Sequence, residues 1–467
     1  MTSDKKTSRK KVHKAKQTRE FRSREERIEA GRLLREKVPR ESHGIWKSPG
    51  KGRDVIAILQ ASNKERLQEL VPIRYGRMLR SPFTFYRGSA ALMAYDLSST
   101  PNIGVQVQAC GDCHLLNFGL FASPERNLIF DLNDFDETLP APWEWDVKRL
   151  AGSFALVAMD NRYGDEEARE GAIACVRSYR ENLRKYSKMN PLEVWYSRMD
   201  MQSLIDTAPD PKTKKLRQEA ADRARERVVE NIFPKIVGSV AGQQRIVDQP
   251  PVLMHLDDPK FMEKIQEGLD VYRGTLSDER RVLLDRYRLV DAALKVVGIG
   301  SVGTRCFIAL MFSEENHPLI LQIKESSRSV LAPYAGKSIY KNQGERIVMG
   351  QRLMQSSSDI FLGWARGRAG RDFFVRQLRD MKFSVPVEGV TLSQIKRYAG
   401  LCGETLARAH AKSGDAATIS GYLGKGDVFD KALGDFAVAY ARQTVKDHRT
   451  LARAVRAGHL EALIEEE

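Results

Sequence analysis

Two apolar, strand-like runs between residues 104 and 138 each end in residues that could do acid–base or metal chemistry. The first, GVQVQACGDCHLLNFG, reaches Gly111-Asp112 and carries Asn117 five residues after the Asp. The second, LIFDLNDFDET, follows its apolar start at 128–130 with Asp131, Asp134, Asp136 and Glu137. If the two runs are neighbouring strands, Asp112, Asn117 and Asp134 meet at one edge. One carboxylate that accepts a hydroxyl proton, beside an Asn and a second Asp that hold Mg²⁺ on phosphates, is the set phosphoryl transfer needs. Asp112 is therefore the candidate base, and Asn117 and Asp134 are the candidate metal ligands. A strand continuing from Ile129 would put Asp134 and Asp136 on one face and Asp131 on the other, which favours Asp134 over Asp131. His114 would brace the loop by hydrogen bonding. Cys110-x-x-Cys113 has the spacing of half a zinc or redox site, but no second pair exists to complete one.

A second constellation lies downstream. Gly298-x-Gly300-x-x-Gly303 could introduce a dinucleotide-binding helix, but residues 304–311 are β-branched and aromatic, which predicts a strand. A glycine loop between two antiparallel strands is the form that covers phosphates in kinases. Lys324 follows on a third strand in Leu-Gln-Ile-Lys, close to the Val-Ala-Ile-Lys pattern. A helix over 342–355 carries Glu345 in its first turn, placed to hold Lys324 by an ion pair. Two more strands are predicted, over 360–364 and 373–378, and then a helix ending LARAHAKSGD. Gly298, Gly300, Gly303, Lys324 and Glu345 are thus the candidate nucleotide-binding residues. Arg376 and Lys382 are further cations that either reach phosphates or line a solvated strand.

The segments GDCHLLNFG, DLNDFDET and WEWDVKRLAGS resemble the bacterial family catalogued as domain of unknown function 2252, from about residue 83 onward. More remotely, Gly111, Asp112, His114 and Asn117 are similar to the His-Gly-Asp-x-His-x-x-Asn loop of the aminoglycoside-phosphotransferase branch of kinase-like folds. Cys110 departs from that pattern, standing where the branch usually has His. The resemblance implies that Asp146, which follows the metal loop, is structural and braces the catalytic loop. It also implies a small-molecule hydroxyl as acceptor. The catalytic segment precedes the glycine loop here, whereas ordinary kinases run the other way. The fold class this implies is α+β, a circularly permuted, two-lobed kinase-like fold, which is tolerable because chain termini tend to be close and at the surface.

The elements that must position these residues divide the chain into four parts. Residues 1–45 form a basic arm, disordered over 1–20 with a charged helix over 23–37. Residues 46–290 form a mostly helical large-lobe domain carrying the loops at 104–146. Residues 291–385 form the small lobe, and 386–467 are helices that complete the large lobe. Trp143 and Trp145 read as core anchors, and His410 as packed at a helix end.

Composition limits the partners. The 467 residues are 42% hydrophobic, enough for a large core, and carry a net charge of +15. Residues 1–40 hold 15 Lys and Arg against 6 Asp and Glu, so +9 of that charge sits in the arm. The arm lacks the aromatic interleaving that stacks on bases, so it reads as a solubilising segment with at most a weak anionic partner. No apolar run is long enough to span a membrane, no secretory signal is present, and five cysteines fit a reducing cytoplasm. ATP and Mg²⁺ are the cofactors this reading requires, with a nucleotide and an unidentified small acceptor as partners. Two alternatives share the same residues: a nucleotide-binding pseudoenzyme, and a metal-dependent hydrolase built on Gly-Asp-x-His and the Asp cluster.

Overall fold

The computed structural model describes residues 21–240, 242–378 and 381–465. Its strands are β1 (Gln106–Ala109), β2 (Phe118–Ala122), β3 (Leu128–Leu132), β4 (Leu139–Pro142), β5 (Val237–Val240), β6 (Gln243–Ile246), β7 (Leu253–Met254), β8 (Arg288–Lys295), β9 (Cys306–Phe312), β10 (Pro318–Ser326), β11 (Gly363–Arg366) and β12 (Asp372–Gln377). Six of them form one antiparallel sheet in the order β11-β12-β10-β9-β8-β7. The fold class is α+β.

Strand alternation decides what this sheet presents on each side. Phe307, Ala309 and Met311 of β9, with Leu319, Leu321 and Ile323 of β10, join one apolar cluster with Phe261, Ile265 and Tyr272 of the helix Phe261–Arg273. The intervening positions face the other way. Ile308 and Leu310 pack there with Ile320, and Gln322 and Lys324 continue the same row of β10. The register sets Phe374 beside Lys324 and Arg376 beside Gln322. A single period-two pattern thus buries the aliphatic row and aims Lys324 and Arg376 at the opposite face.

The sheet reaches further back than the change of texture at residue 291. β8 begins at Arg288, and β7, only two residues long, adds a strand from a stretch assigned by sequence to the large lobe. The helix Phe261–Arg273 also covers the sheet and not the helical body.

The helical body is built from both ends of the chain. The helices Trp143–Asp160, Asp165–Tyr186, Leu392–Ser413 and Val428–Arg456 share one core cluster. Gly403 lets Leu392–Ser413 lie close on Asp165–Tyr186, since a Cβ there would stand 2.3 Å from the Cys175 carbonyl oxygen. The far end of Leu392–Ser413 arrives beside β1, where the Gln108 N–H donates to Ser413 Oγ at 3.2 Å. At the other end of the chain, Ser23 caps the helix Arg24–Lys37 in a capping box with Glu26. Gly31 and Gly421 let that helix dock on Ala416–Leu423. The arm predicted to be disordered over 1–20 lies outside the described residues. Among the described residues no helix is long and apolar enough to cross a membrane.

The acid-bearing segments do not form the strand pair the sequence suggested. β1 pairs with β4, and β3 pairs with β2, in two separate ribbons. β3 ends at Leu132, so no strand continues through Asp136. Asp131 nonetheless points away from its neighbours. Its buried carboxylate accepts from Arg408 Nη2 at 2.5 Å and from the Ser356 N–H and hydroxyl at 2.8 and 2.7 Å. This pair ties β3 to the helix Leu392–Ser413 just before the loop that carries Asp134. Removing one charge of a buried pair strands the other. We expect Asp131→Asn to lower stability to urea by about 3 kcal/mol; a loss under about 0.5 kcal/mol, the size of a surface substitution, would contradict that anchoring role.

Candidate functional site

The loop before Asp112 is fixed from below by a buried carboxylate. Asp146, in the first turn of Trp143–Asp160, accepts from the Cys110 N–H at 2.6 Å and the Gly111 N–H at 3.0 Å. His410 Nε2 lies 3.3 Å from Asp146, and its Nδ1 lies 2.9 Å from the Tyr179 hydroxyl. Asp146 and His410 are therefore structural, and Trp143 and Trp145 are buried in the core. Gly111 has φ +87°, and a Cβ there would lie 2.4 Å from the Glu137 carbonyl oxygen. The Gly of Gly-Asp is thus required twice, by its dihedral and by its neighbour.

Asp112 meets a partner the sequence reading missed. Arg149, one turn after Asp146 on the same helix, donates through Nε to Asp112 Oδ1 at 2.6 Å and through Nη2 to the Tyr86 carbonyl at 2.9 Å. Burial pushes the Asp112 carboxyl above its usual range, and Arg149 opposes that shift. Asn117 Nδ2 donates to the Asp112 carbonyl at 2.5 Å, and its own carbonyl accepts from the Asn133 N–H at 2.8 Å. Cys110 Sγ contacts the Asp134 carbonyl at 3.2 Å. These contacts, not strand pairing, bring the two acidic loops together. The His114 side chain does not brace the loop as expected. Its Nδ1 is buried without a partner, and its Nε2 stands 3.9 Å from Asp112 Oδ2. Burial, with Arg87 and Arg149 nearby, holds its ring well below the usual histidine range.

The downstream constellation closes over the same loops. Lys324 Nζ forms an ion pair with Asp136 Oδ2, and Ser301 Oγ donates to that oxygen at 3.3 Å. Burial alone would lower the Lys324 pKa, but Asp136 and Asp134 outweigh it and raise it. The counterion of Lys324 is therefore Asp136, where the sequence reading placed Glu345. Glu345 sits in the first turn of Gln343–Met354 and donates its N–H to Asn342 Oδ1. Its neighbour Arg346 makes the connection instead, donating to the carbonyls of Thr138, Asp136 and Ser327 at 2.6–2.9 Å.

Together these elements enclose a cavity of about 810 Å³ between the sheet and the helical body. Asp112, Asn117, Asp134, Gly298, Gly300 and Lys324 all line it. Gly303 and Glu345 do not. Gly303 is a turn residue at φ +85°, packed on Arg66, with its carbonyl accepting from the Leu67 N–H at 2.7 Å. Along the wall Arg87, Lys324, Arg376 and Lys382 face Asp112 and Asp134. Burial opposes ionisation of Asp134, but Lys324, Arg376 and Lys382 outweigh it and hold the carboxyl at about 2. Asp134 is thus an anion throughout the neutral range. One oxygen of Asp136, Oδ1, is buried without a hydrogen-bond partner. Among the described residues no three His, Cys, Asp or Glu side chains converge as a metal cage. Cys110 and Cys113 are buried and free, as are the other three cysteines.

Fold and site together define an α+β protein with a large polar cleft, one wall a six-stranded antiparallel sheet and the other a pair of acidic loops on a helical body. The chain belongs to DUF2252, a family of uncharacterized proteins conserved in bacteria, whose family model matches residues 66–454. No curated protein and no solved structure matches it.

Glu137, beside this cleft, makes the site visible to pH. Its Oε2 accepts from the Val330 N–H at 2.7 Å, yet burial pushes its carboxyl from 4.5 up to about 7. A carboxyl raised in the folded state favours folding while protonated. Its contribution is fully present below about 4.5 and is lost as pH rises to about 7. We expect urea midpoints of Glu137→Gln to fall less than wild type across this window, by the equivalent of about 1–3 kcal/mol. Parallel pH profiles of the two proteins would contradict it.

Proposed function

We propose that this protein is an ATP- and Mg²⁺-dependent phosphotransferase with a kinase-like site in permuted chain order, acting on the hydroxyl of a small molecule. One observation carries the reading. The acidic loops at 112–136 and the glycine loop and lysine at 298–324, remote in sequence, line one cavity and are joined by Lys324 and Ser301 at Asp136. The order of parts within the sheet lobe adds support: two strands around a glycine loop, a strand bearing a lysine, a helix, then two more strands. A kinase lobe has its glycine loop and strand lysine in this relation. The end of Leu392–Ser413 beside β1 supports the permutation, because a kinase chain would pass directly from such a helix into its catalytic loop.

The residues present fit both groups. Mg²⁺ takes one or two protein carboxylates and completes its shell with water and phosphate oxygens, so it needs no protein cage. Asp134, held ionised, the Asn117 side-chain carbonyl and the unpaired Asp136 Oδ1 are suited to it. Bound there, the metal would neutralise charge on the phosphates. Lys324 and the glycine loop would hold the nucleotide phosphates, with Arg376 beside them. Asp112, kept in place by Arg149, would orient the acceptor hydroxyl and receive its proton. The metal-hydrolase alternative leaves Lys324 and the glycine loop without a role. A site that uses ATP and keeps its thiols free suits the cytoplasm.

Calorimetry with MgATP tests this directly. Wild type should bind, and Lys324→Ala should weaken binding at least about tenfold, the loss of one charge-assisted contact. Asp134→Asn should remove the dependence of that affinity on Mg²⁺. Absence of binding by wild type would contradict the reading.

A further inference from the structure

Among the described residues, one half-buried cation on the cavity wall has a position that the fold itself does not explain. Arg149 is committed to Asp112 and Tyr86, and Lys324 to Asp136. Arg376 donates to Gln322 and the Asn133 carbonyl and stacks on Phe374. Arg87 makes no hydrogen bond or ion pair among the described residues, and its Nε is buried without a partner. Burying an unpaired cationic nitrogen is costly, and the charges of Asp112 and Asp134 offset that cost only in part, since burial still lowers the Arg87 pKa.

Its location is specific. Arg87 lies in the last turn of the short helix Pro82–Gly88, beside the glycine loop. A Cβ on Gly298 would stand 4.0 Å from Arg87 Nη2, and one on Gly300 would stand 3.7 Å from the Arg87 carbonyl and 4.0 Å from Asp112 Oδ2. Asp112 and Asp134 are the acids that act on its charge. The guanidinium is therefore wedged where the glycine loop, the candidate base and the candidate metal ligand converge. Under the phosphotransferase reading, the outermost phosphate and the acceptor hydroxyl meet at this point.

We infer that Arg87 is a catalytic residue that stabilises the phosphoryl group in flight, an arginine supplied by the chain to its own site. The inference rests on the function proposed above. In the step, the acceptor oxygen bonds to the γ-phosphorus and the bond from that phosphorus to the β,γ-bridging oxygen breaks. The electron pair leaves with ADP, and the hydroxyl proton passes to Asp112. Negative charge spreads over the equatorial oxygens of the transferring group, and a planar, permanently charged guanidinium matches it. Arg87 exchanges no proton.

The acceptor need not be known to test this. ADP·Mg²⁺ with AlF₄⁻ imitates the transferring group, whereas ADP·Mg²⁺ alone lacks it. Wild type should bind ADP·Mg²⁺ more tightly when AlF₄⁻ is present. Arg87→Gln should keep its affinity for ADP·Mg²⁺ within about threefold and lose at least about tenfold for the AlF₄⁻ complex, with Arg87→Lys in between. Its thermal midpoint should not fall, because Arg87 supports no other residue and its buried charge costs stability. Equal loss of both affinities with a lowered midpoint would make Arg87 a structural support and overturn the inference. Undiminished AlF₄⁻ affinity in Arg87→Gln would also overturn it, with the phosphotransferase reading intact. Wild type that fails to bind ADP·Mg²⁺ would remove that reading and this inference with it.

Discussion

The ion pair between Lys324 and Asp136 joins side chains 188 residues apart, and the candidate site depends on it. Lys324 is buried on β10, where strand alternation turns it away from the aliphatic core. A lysine in that position needs a counterion, because burial alone would drive off its proton. Asp136 supplies one and in doing so fixes the acidic loop against the sheet. The same carboxylate receives Ser301 from the glycine loop. Charge neutralisation between the sheet and the acidic loop has thereby set the geometry of the cleft.

Buried charge recurs as the means of positioning. Asp146 holds the Gly111 turn by two N–H groups, Asp131 holds β3 to the C-terminal helix through Arg408, and Arg149 holds Asp112. None of these carboxylates is left without several donors or a guanidinium, which is what makes burial tolerable. The helical body thus acts as a rigid bed for two loops that have little strand pairing of their own. Arg87 is the exception, a cation on the cleft wall with no hydrogen-bond or ion-pair partner among the described residues.

Much of the site was legible because it is local. Gly-Asp with an Asn five residues on, and an acid cluster after an apolar run, are short-range patterns. The sheet was legible for the same reason, since β9 and β10 are apolar runs bounded by turns. Lys324 could be singled out from its place after the glycine loop. What could not be read is non-local. Which strand pairs with which depends on the rest of the body, so β1 and β3 were set side by side when each has another partner. Two residues of β7 carry no periodicity. Glu345 and Arg346 are adjacent on a helix, about 100° apart around its axis, and only packing decides that Arg346 faces the acidic loop. Arg87 and Arg149 lie on helices, where a charged residue usually means a solvated face. A signal for Arg149 did exist: it follows Asp146 by three residues, on the same face of the same helix.

The central claim is that the loops at 112–136 and 298–324 form one nucleotide site. Hydrogen exchange on the full chain, with and without a non-hydrolysable ATP analogue and Mg²⁺, reads both at once. The account predicts that the amides around Gly111–Asp112, around Asp134–Asp136 and around Gly298–Ser301 gain protection together at one ligand concentration. Protection confined to one of these segments, or absent from all of them, would contradict it.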